Sequence, residues 1–134
     1  SIRIFRLFRI FRIFKLGKYN DAMYLYDKAL NSIKSEMTVF FFFTSTILYI
    51  ASIGIYSFEH EAQPDAFGSI FDALWWSIVT LTTVGYGDAY PITVGGKIFT
   101  SLIVLVGVGI VAVPTGLIAS AIRDVKINKN DSNL

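Results

Sequence analysis

Two stretches of this chain carry no charge at all, Met37 to Phe58 and Ile98 to Ile122. Each is long enough to cross about 30 Å of hydrocarbon as a helix. Between them, Ile70 to Val84 is apolar but too short to span, and Asp72 interrupts it. That pattern predicts a re-entrant element between two membrane helices, because non-helical backbone at membrane depth must be buried in protein or line a water-filled cavity. Ahead of the first span, residues 18–34 place Tyr19, Met23, Tyr26, Leu30 and Ile33 at helical spacing with charges between them. This predicts an amphipathic helix lying along the membrane face, separated by Gly17 from what precedes it. Phe40 to Phe43 within the first span predict contact with lipid or neighbouring helices. The polar tail from Asn128 is expected to be disordered.

Arg3, Arg6, Arg9, Arg12 and Lys15 recur at every third position with two apolar residues between each pair. Three residues of α-helix advance about 300°, so each charge lags its predecessor by about 60°. An amphipathic surface helix would mix spacings of three and four to keep one polar face. The strict period suits a spiral stripe or a 3₁₀ stretch, and either lets charges follow one another through a narrow polar gap. A basic juxtamembrane helix attracted to anionic lipid is the other reading.

The most specific run is Thr82-Thr83-Val84-Gly85-Tyr86-Gly87-Asp88. Glycines at alternate positions allow the backbone to alternate between right- and left-handed dihedrals at little steric cost. Successive carbonyls can then point the same way and replace the water shell of a cation, with the Thr83 hydroxyl as a further ligand. Val84 and Tyr86, projecting the other way, would anchor the strand. Following an apolar helix in a membrane chain, this run resembles the selectivity filter of potassium channels. The arginine ladder, in turn, resembles the end of the voltage-sensing segment of voltage-gated members.

The resemblance covers essentially the whole chain and implies a division by role. Residues 1–17 would be the remnant of a sensor helix, 18–34 the linker helix and 35–134 the pore domain. Within the pore it implies an outer helix over about 35–58, a turret over 59–69 and a pore helix over about 70–82. The filter would occupy 83–87 and the inner helix about 94–124. Phe71 to Thr80 looks like the family's pore helix, with Asp72 in its first turn. Trp76 would contact the Tyr86 hydroxyl and Trp75 would reach Asp88, together holding the filter at a fixed diameter. Val79 stands where some members carry a glutamate, so Asp88 lacks that partner. His60, the sole histidine, reads as a solvated turret residue.

In the second span, Gly107-Val108-Gly109-Ile110-Val111-Ala112 matches a dinucleotide fingerprint, but it sits inside an uncharged span without the strand or acidic partner that motif needs. The family resemblance makes Gly107 the inner-helix hinge. Pro114 falls where voltage-gated members kink, although the chain reads Pro114-Thr115-Gly116 rather than Pro-x-Pro. Ala119 and Ile122 would lie where four helices converge, with Thr115 lining the cavity above them.

Composition limits the alternatives. With 54% hydrophobic and 16% charged residues, a soluble domain of 134 residues could hide its apolar surface only with difficulty. Lysines and arginines lie before the first span and after the second, while residues 59–96 carry none. By the positive-inside rule both termini are expected in the cytoplasm and the central loop outside. There is no cysteine, hence no disulfide. A secretory leader is not expected, since arginines interrupt the N-terminal segment.

The resemblance thus implies an all-α membrane protein, a pore module of bacterial type, with two transmembrane helices plus a re-entrant helix and filter loop per subunit. It implies no enzyme. Potassium bound by Thr83, Val84, Gly85 and Tyr86 would pass through a homotetramer built with three identical subunits in the cell membrane. The other expected contacts are membrane lipids, with no organic cofactor and no nucleic acid. The ladder, met without preceding spans or acidic partners, reads as a piece of a longer sensor. Two alternatives remain open on sequence: a constitutive or ligand-gated two-span channel, and a membrane-lytic or lipid-binding protein.

Overall fold

The computed structural model describes residues 20–131. The ladder Arg3, Arg6, Arg9, Arg12 and Lys15, with the break at Gly17, lies outside the described residues. Four helices make up the described chain: α1 (Asn20–Ser32), α2 (Lys34–Glu59), α3 (Ile70–Leu81) and α4 (Val94–Asp131).

α2 and α4 are apolar and long enough to span a bilayer, and only 17% and 6% of their most apolar windows are buried. A core helix of a soluble protein would be mostly buried. These helices instead turn their apolar surface outward, with Phe41, Phe42 and Phe43 all exposed, as a membrane protein does. Phe40 alone of that aromatic row packs inward, against the cluster of Ala51, Leu81 and Ile110.

α1 packs on the far end of α4 through Ala29, Ile33, Ala121 and Val125. Of the expected stripe, Ile33 is buried, whereas Met23, Tyr26 and Leu30 are exposed, and Tyr19 lies outside the described residues. The packed face is offset, running through Leu25, Ala29 and Ile33. Ala29 and Ala121 are 1% and 4% exposed, and two such short side chains let the helix backbones approach closely. A large residue at either position would hold them apart. The same contact corrects the reading of the tail. Val125 is anchored under α1, and α4 continues as helix through Asn128 to Asp131 with Lys129 in its last turn, where a cation suits the helix dipole. α4 also runs unbroken through Pro114.

Near the other end, α2 and α4 meet through missing side chains. A Cβ on Gly54 would fall 2.1 Å from the Phe99 ring, and one on Gly95 would fall 2.7 Å from the Phe58 ring. The two rings lie 5.7 Å apart between centroids. α3 is held between these helices and begins with a complete capping box. The Ser69 hydroxyl accepts from the Asp72 amide at 3.2 Å, while the Ser69 amide donates to the Asp72 carboxylate at 2.9 Å. Two of the orphan donors at the helix start are thereby satisfied.

Gly54→Val is expected to lower the thermal unfolding midpoint in detergent, because the Phe99 ring has no room for the branched side chain; overpacking of this kind costs about 1–3 kcal/mol. Adding Phe99→Leu should recover part of the loss. An unchanged midpoint in Gly54→Val would show that the helices do not meet there.

Candidate functional site

α3 ends at Leu81, and the amide of Thr82 just beyond it donates to Ile78 O at 3.0 Å. From there the chain turns back sharply, with Thr83 N donating to Thr80 O at 3.1 Å. The backbone then alternates in hand. Thr83, Gly85 and Gly87 have φ of 64°, 59° and 76°, whereas Val84 and Tyr86 keep negative values. A Cβ at Gly85 or Gly87 would meet nothing within 4 Å. The dihedral, not the space, is what calls for glycine there. Thr83 is the exception: a β-branched residue held in the left-handed region, which is strained backbone.

The amides of Val84 and Gly85 both donate to a single acceptor, Val79 O, each at 3.0 Å. Val79 thus contributes through its backbone, a role that its apolar side chain gave no reason to expect. Farther along, Trp75 Nε1 donates to Asp88 Oδ2 at 2.9 Å. The Trp75 ring also stacks on Tyr86, with centroids 6.0 Å apart and 15° between planes. The expected contact of Trp76 with Tyr86 does not occur within the chain. Trp76 is buried and packs edge-on against Phe67, which leaves the Tyr86 ring to Trp75.

The loop that follows is fastened to α2. Glu59 is fully buried at the α2 terminus and gathers four groups. It accepts from Ile92 N at 3.0 Å, Thr93 N at 3.0 Å, the Thr93 hydroxyl at 2.6 Å and Gln63 Nε2 at 2.8 Å. Gln63 Nε2 also donates to Tyr90 O at 2.8 Å. A Cβ on Gly96 would fall 1.9 Å from the Glu59 carboxylate, so that glycine makes room for the clamp. Glu59 is therefore an acceptor inside the fold rather than a residue of a solvated turret.

His60 is corrected in the same way. Its Nδ1 lies 2.8 Å from Phe67 O, and its ring stacks on Tyr56 at 4.5 Å. It closes the turn between α2 and α3. No pattern in the chain pointed to Glu59, Gln63 or His60, except that the uncharged run stops at Phe58 and the pair Gly95-Gly96 signals a close approach.

The residues expected to form a gate are spread along α4. Gly107 is buried against the end of α3, where a Cβ would lie 2.8 Å from the Leu81 side chain and 3.2 Å from its backbone. Close packing is a sufficient reason for glycine at that position. Thr115 and Ala119 are exposed, and Gly116 has open space around it. The Thr115 hydroxyl donates back to Val111 O at 2.8 Å. Ile122 is partly covered by the cluster that joins α1 to α4.

The chain matches the family described as ion transport protein over residues 1–130. The chain belongs to the ion transport protein family. Among relatives, it is 44% identical over 105 residues to human "Potassium voltage-gated channel subfamily A member 6", covering 77% of this chain and 20% of that protein. It is 45% identical over 105 residues to mouse "Potassium voltage-gated channel subfamily A member 5", covering 77% of this chain and 17% of that protein. The chain thus spans about a fifth of the length of the curated relatives it matches. By their names these relatives are channels, not enzymes.

Within this ion transport protein, Glu59→Ala is expected to leave the amides of Ile92 and Thr93 without their acceptor. Stability should fall by about 1–3 kcal/mol for each buried donor stranded. Glu59→Gln, which keeps one acceptor oxygen, should lose less. Denaturant or thermal unfolding in detergent would check the order wild type, Gln, Ala; equal stability of all three would show that the clamp holds nothing.

Proposed function

We propose that this chain is the pore part of a potassium-selective, voltage-gated channel. The observation that carries the reading is the alternating backbone of Thr83, Val84, Gly85, Tyr86 and Gly87 directly after a short apolar helix. Two amides of that run are tied back to Val79 O. Such a backbone is suited to present a row of carbonyl oxygens to a dehydrated ion. Potassium is the cargo and would be held by the carbonyls of Thr83, Val84, Gly85 and Tyr86 with the Thr83 hydroxyl, moving by displacement between adjacent sites. α3 is then the re-entrant pore helix, α2 the outer helix, α4 the inner helix and α1 the linker.

One chain supplies one strand of such a cage, so conduction needs a closed ring, and a homotetramer supplies it. Phe71, Tyr86, Tyr90 and Val94 are exposed around the segment in the single chain, which suits burial against three identical subunits. The distribution of lysine and arginine supports a multi-pass protein of the cell membrane with both termini cytoplasmic. In the whole protein, Arg3, Arg6, Arg9, Arg12 and Lys15 would sense voltage, each charge that crosses the field contributing about 2.3 kcal/mol per 100 mV. The gate is assigned to α4, with Gly107, Pro114 and Gly116 as its weak points and Ala119 and Ile122 at the constriction.

Reconstituted in bilayers under mixed potassium and sodium, the chain is expected to pass current that reverses near the potassium equilibrium potential. Gly85→Ala puts a Cβ on a left-handed residue, at a cost of about 1–2 kcal/mol per subunit, and should abolish selective current while the protein still inserts. Wild-type selectivity in Gly85→Ala would overturn the filter assignment.

A further inference from the structure

Two cavities follow one another along α4 and share two walls, Glu36 and Leu117. The first, of about 500 Å³, is mainly apolar, with Val39, Phe40 and Phe43 of α2 beside Val113 and Leu117 of α4. The second, of about 420 Å³, lies between α1 and α4. Its charged walls come from three helices: Lys28 from α1, Glu36 from α2 and Asp124 from α4. Both volumes fall within the range of about 300–1,000 Å³ that small-ligand sites occupy.

The division follows depth in the membrane. The five apolar walls of the first cavity all lie inside the uncharged runs 37–58 and 98–122, whereas Lys28, Asp124 and Asn128 lie outside them. In a bilayer the first cavity therefore stands among acyl chains and the second at the level of the head groups. Among the described residues, Lys28 and Glu36 have no hydrogen bond or ion pair from their side chains. Asp124 has only its contact with Arg123 at 3.8 Å, and both side chains are well exposed, which makes the pair a weak one. The side chains of Ser120 and Asn128, in the same cavity, also lack hydrogen-bond partners among the described residues. One cation and two carboxylates thus share a cleft without neutralising one another.

Lipid tails are as apolar as the walls of the first cavity, so a chain gains little by entering it. Selectivity must come from the charged half. An anionic head group would set its charge against two carboxylates with one lysine to offset them, whereas anionic lipids are held by clusters of basic residues. A head that carries both an ammonium and a phosphate matches all three charges. We infer that the joined cavities are a site for phosphatidylethanolamine, with one acyl chain along Phe40 and Phe43 and the head group between α1 and α4. The ammonium donates to Glu36 and Asp124, and the phosphate accepts from Lys28, with the Ser120 hydroxyl and Asn128 amide as further donors. A lipid seated there bridges α1, α2 and α4, and reinforces the narrow contact of Ala29 with Ala121.

The full-length protein would be extracted from vesicles holding equal phosphatidylethanolamine and phosphatidylglycerol with matched acyl chains, and its retained lipid measured by native mass spectrometry. Phosphatidylethanolamine should be retained about tenfold over phosphatidylglycerol, the worth of one hydrogen bond to a charged group. Glu36→Gln combined with Asp124→Asn should abolish that preference. Val39→Trp, which fills the apolar half and touches no charge, should displace the lipid. Glu36, Asp124 and Val39 are exposed in the fold, so the thermal midpoints of these proteins should match wild type. Equal retention of the two lipids by wild type, or a preference for phosphatidylglycerol, would overturn the inference. So would a preference that survives the double substitution, unchanged retention in Val39→Trp, or density showing a neighbouring subunit's side chain in the cleft. Lipid retention requires no current, so failure of the pore reading would leave this test standing.

Discussion

A backbone that alternates in hand between Thr83 and Gly87 cannot form the regular hydrogen bonds of a helix or strand with itself. In a membrane chain it must therefore be held from outside, and the described fold is arranged to do so. Val79 O takes two of its amides. Trp75 fixes Asp88 just beyond it and lies flat on Tyr86 within it. Gln63 and Glu59 hold Tyr90, Ile92 and Thr93 after it. The segment is strung between α3 on one side and the end of α2 on the other.

Glycine serves this arrangement in two separate ways. At Gly85 and Gly87 it supplies the left-handed dihedral in open surroundings. At Gly54, Gly95, Gly96 and Gly107 it removes a side chain where Phe99, Phe58, Glu59 and Leu81 press in. The second use draws α2, α3 and α4 together around the loop, and it places Gly107 of α4 directly on the helix that leads into the Thr83–Gly87 run. Small alanines do the same work where α1 lies on α4.

What was legible in the sequence was local chemistry. The spans follow from uncharged runs and the alternating backbone from glycines two apart, while Asp72 in the first turn of α3 came with the family resemblance. The contact of Trp75 with Asp88 came with the family resemblance. Contacts made at long range were not legible. The backbone donors to Glu59 stand 33 and 34 residues downstream, and no pattern near Glu59 distinguishes it from Glu61. His60 had a free-standing look because its acceptor, Phe67 O, is a backbone atom that no side-chain pattern reports. Around α1, Met23, Tyr26 and Leu30 stay exposed while the face through Ala29 to Ile33 packs on α4, because close approach favours small residues over large ones. The tail was misread for a related reason, since burial of Val125 under α1 carries the helix onward through residues that would not form one alone.

Thr83 sets a floor on what its own side chain must be worth. At φ 64° a β-branched residue stands where glycine would be comfortable, at a cost of about 1–3 kcal/mol. Glycine would remove that cost and with it the hydroxyl. If four copies closed the ring proposed above, the penalty would fall four times on one narrow layer, and the oxygen that Thr83 brings, with the stiffness of its branched side chain, would have to return at least as much. Relief of backbone strain would therefore not improve this chain at that position: a Thr83→Gly protein would be locally more relaxed and would have lost an oxygen that no other side chain in the Thr83–Gly87 segment is placed to replace.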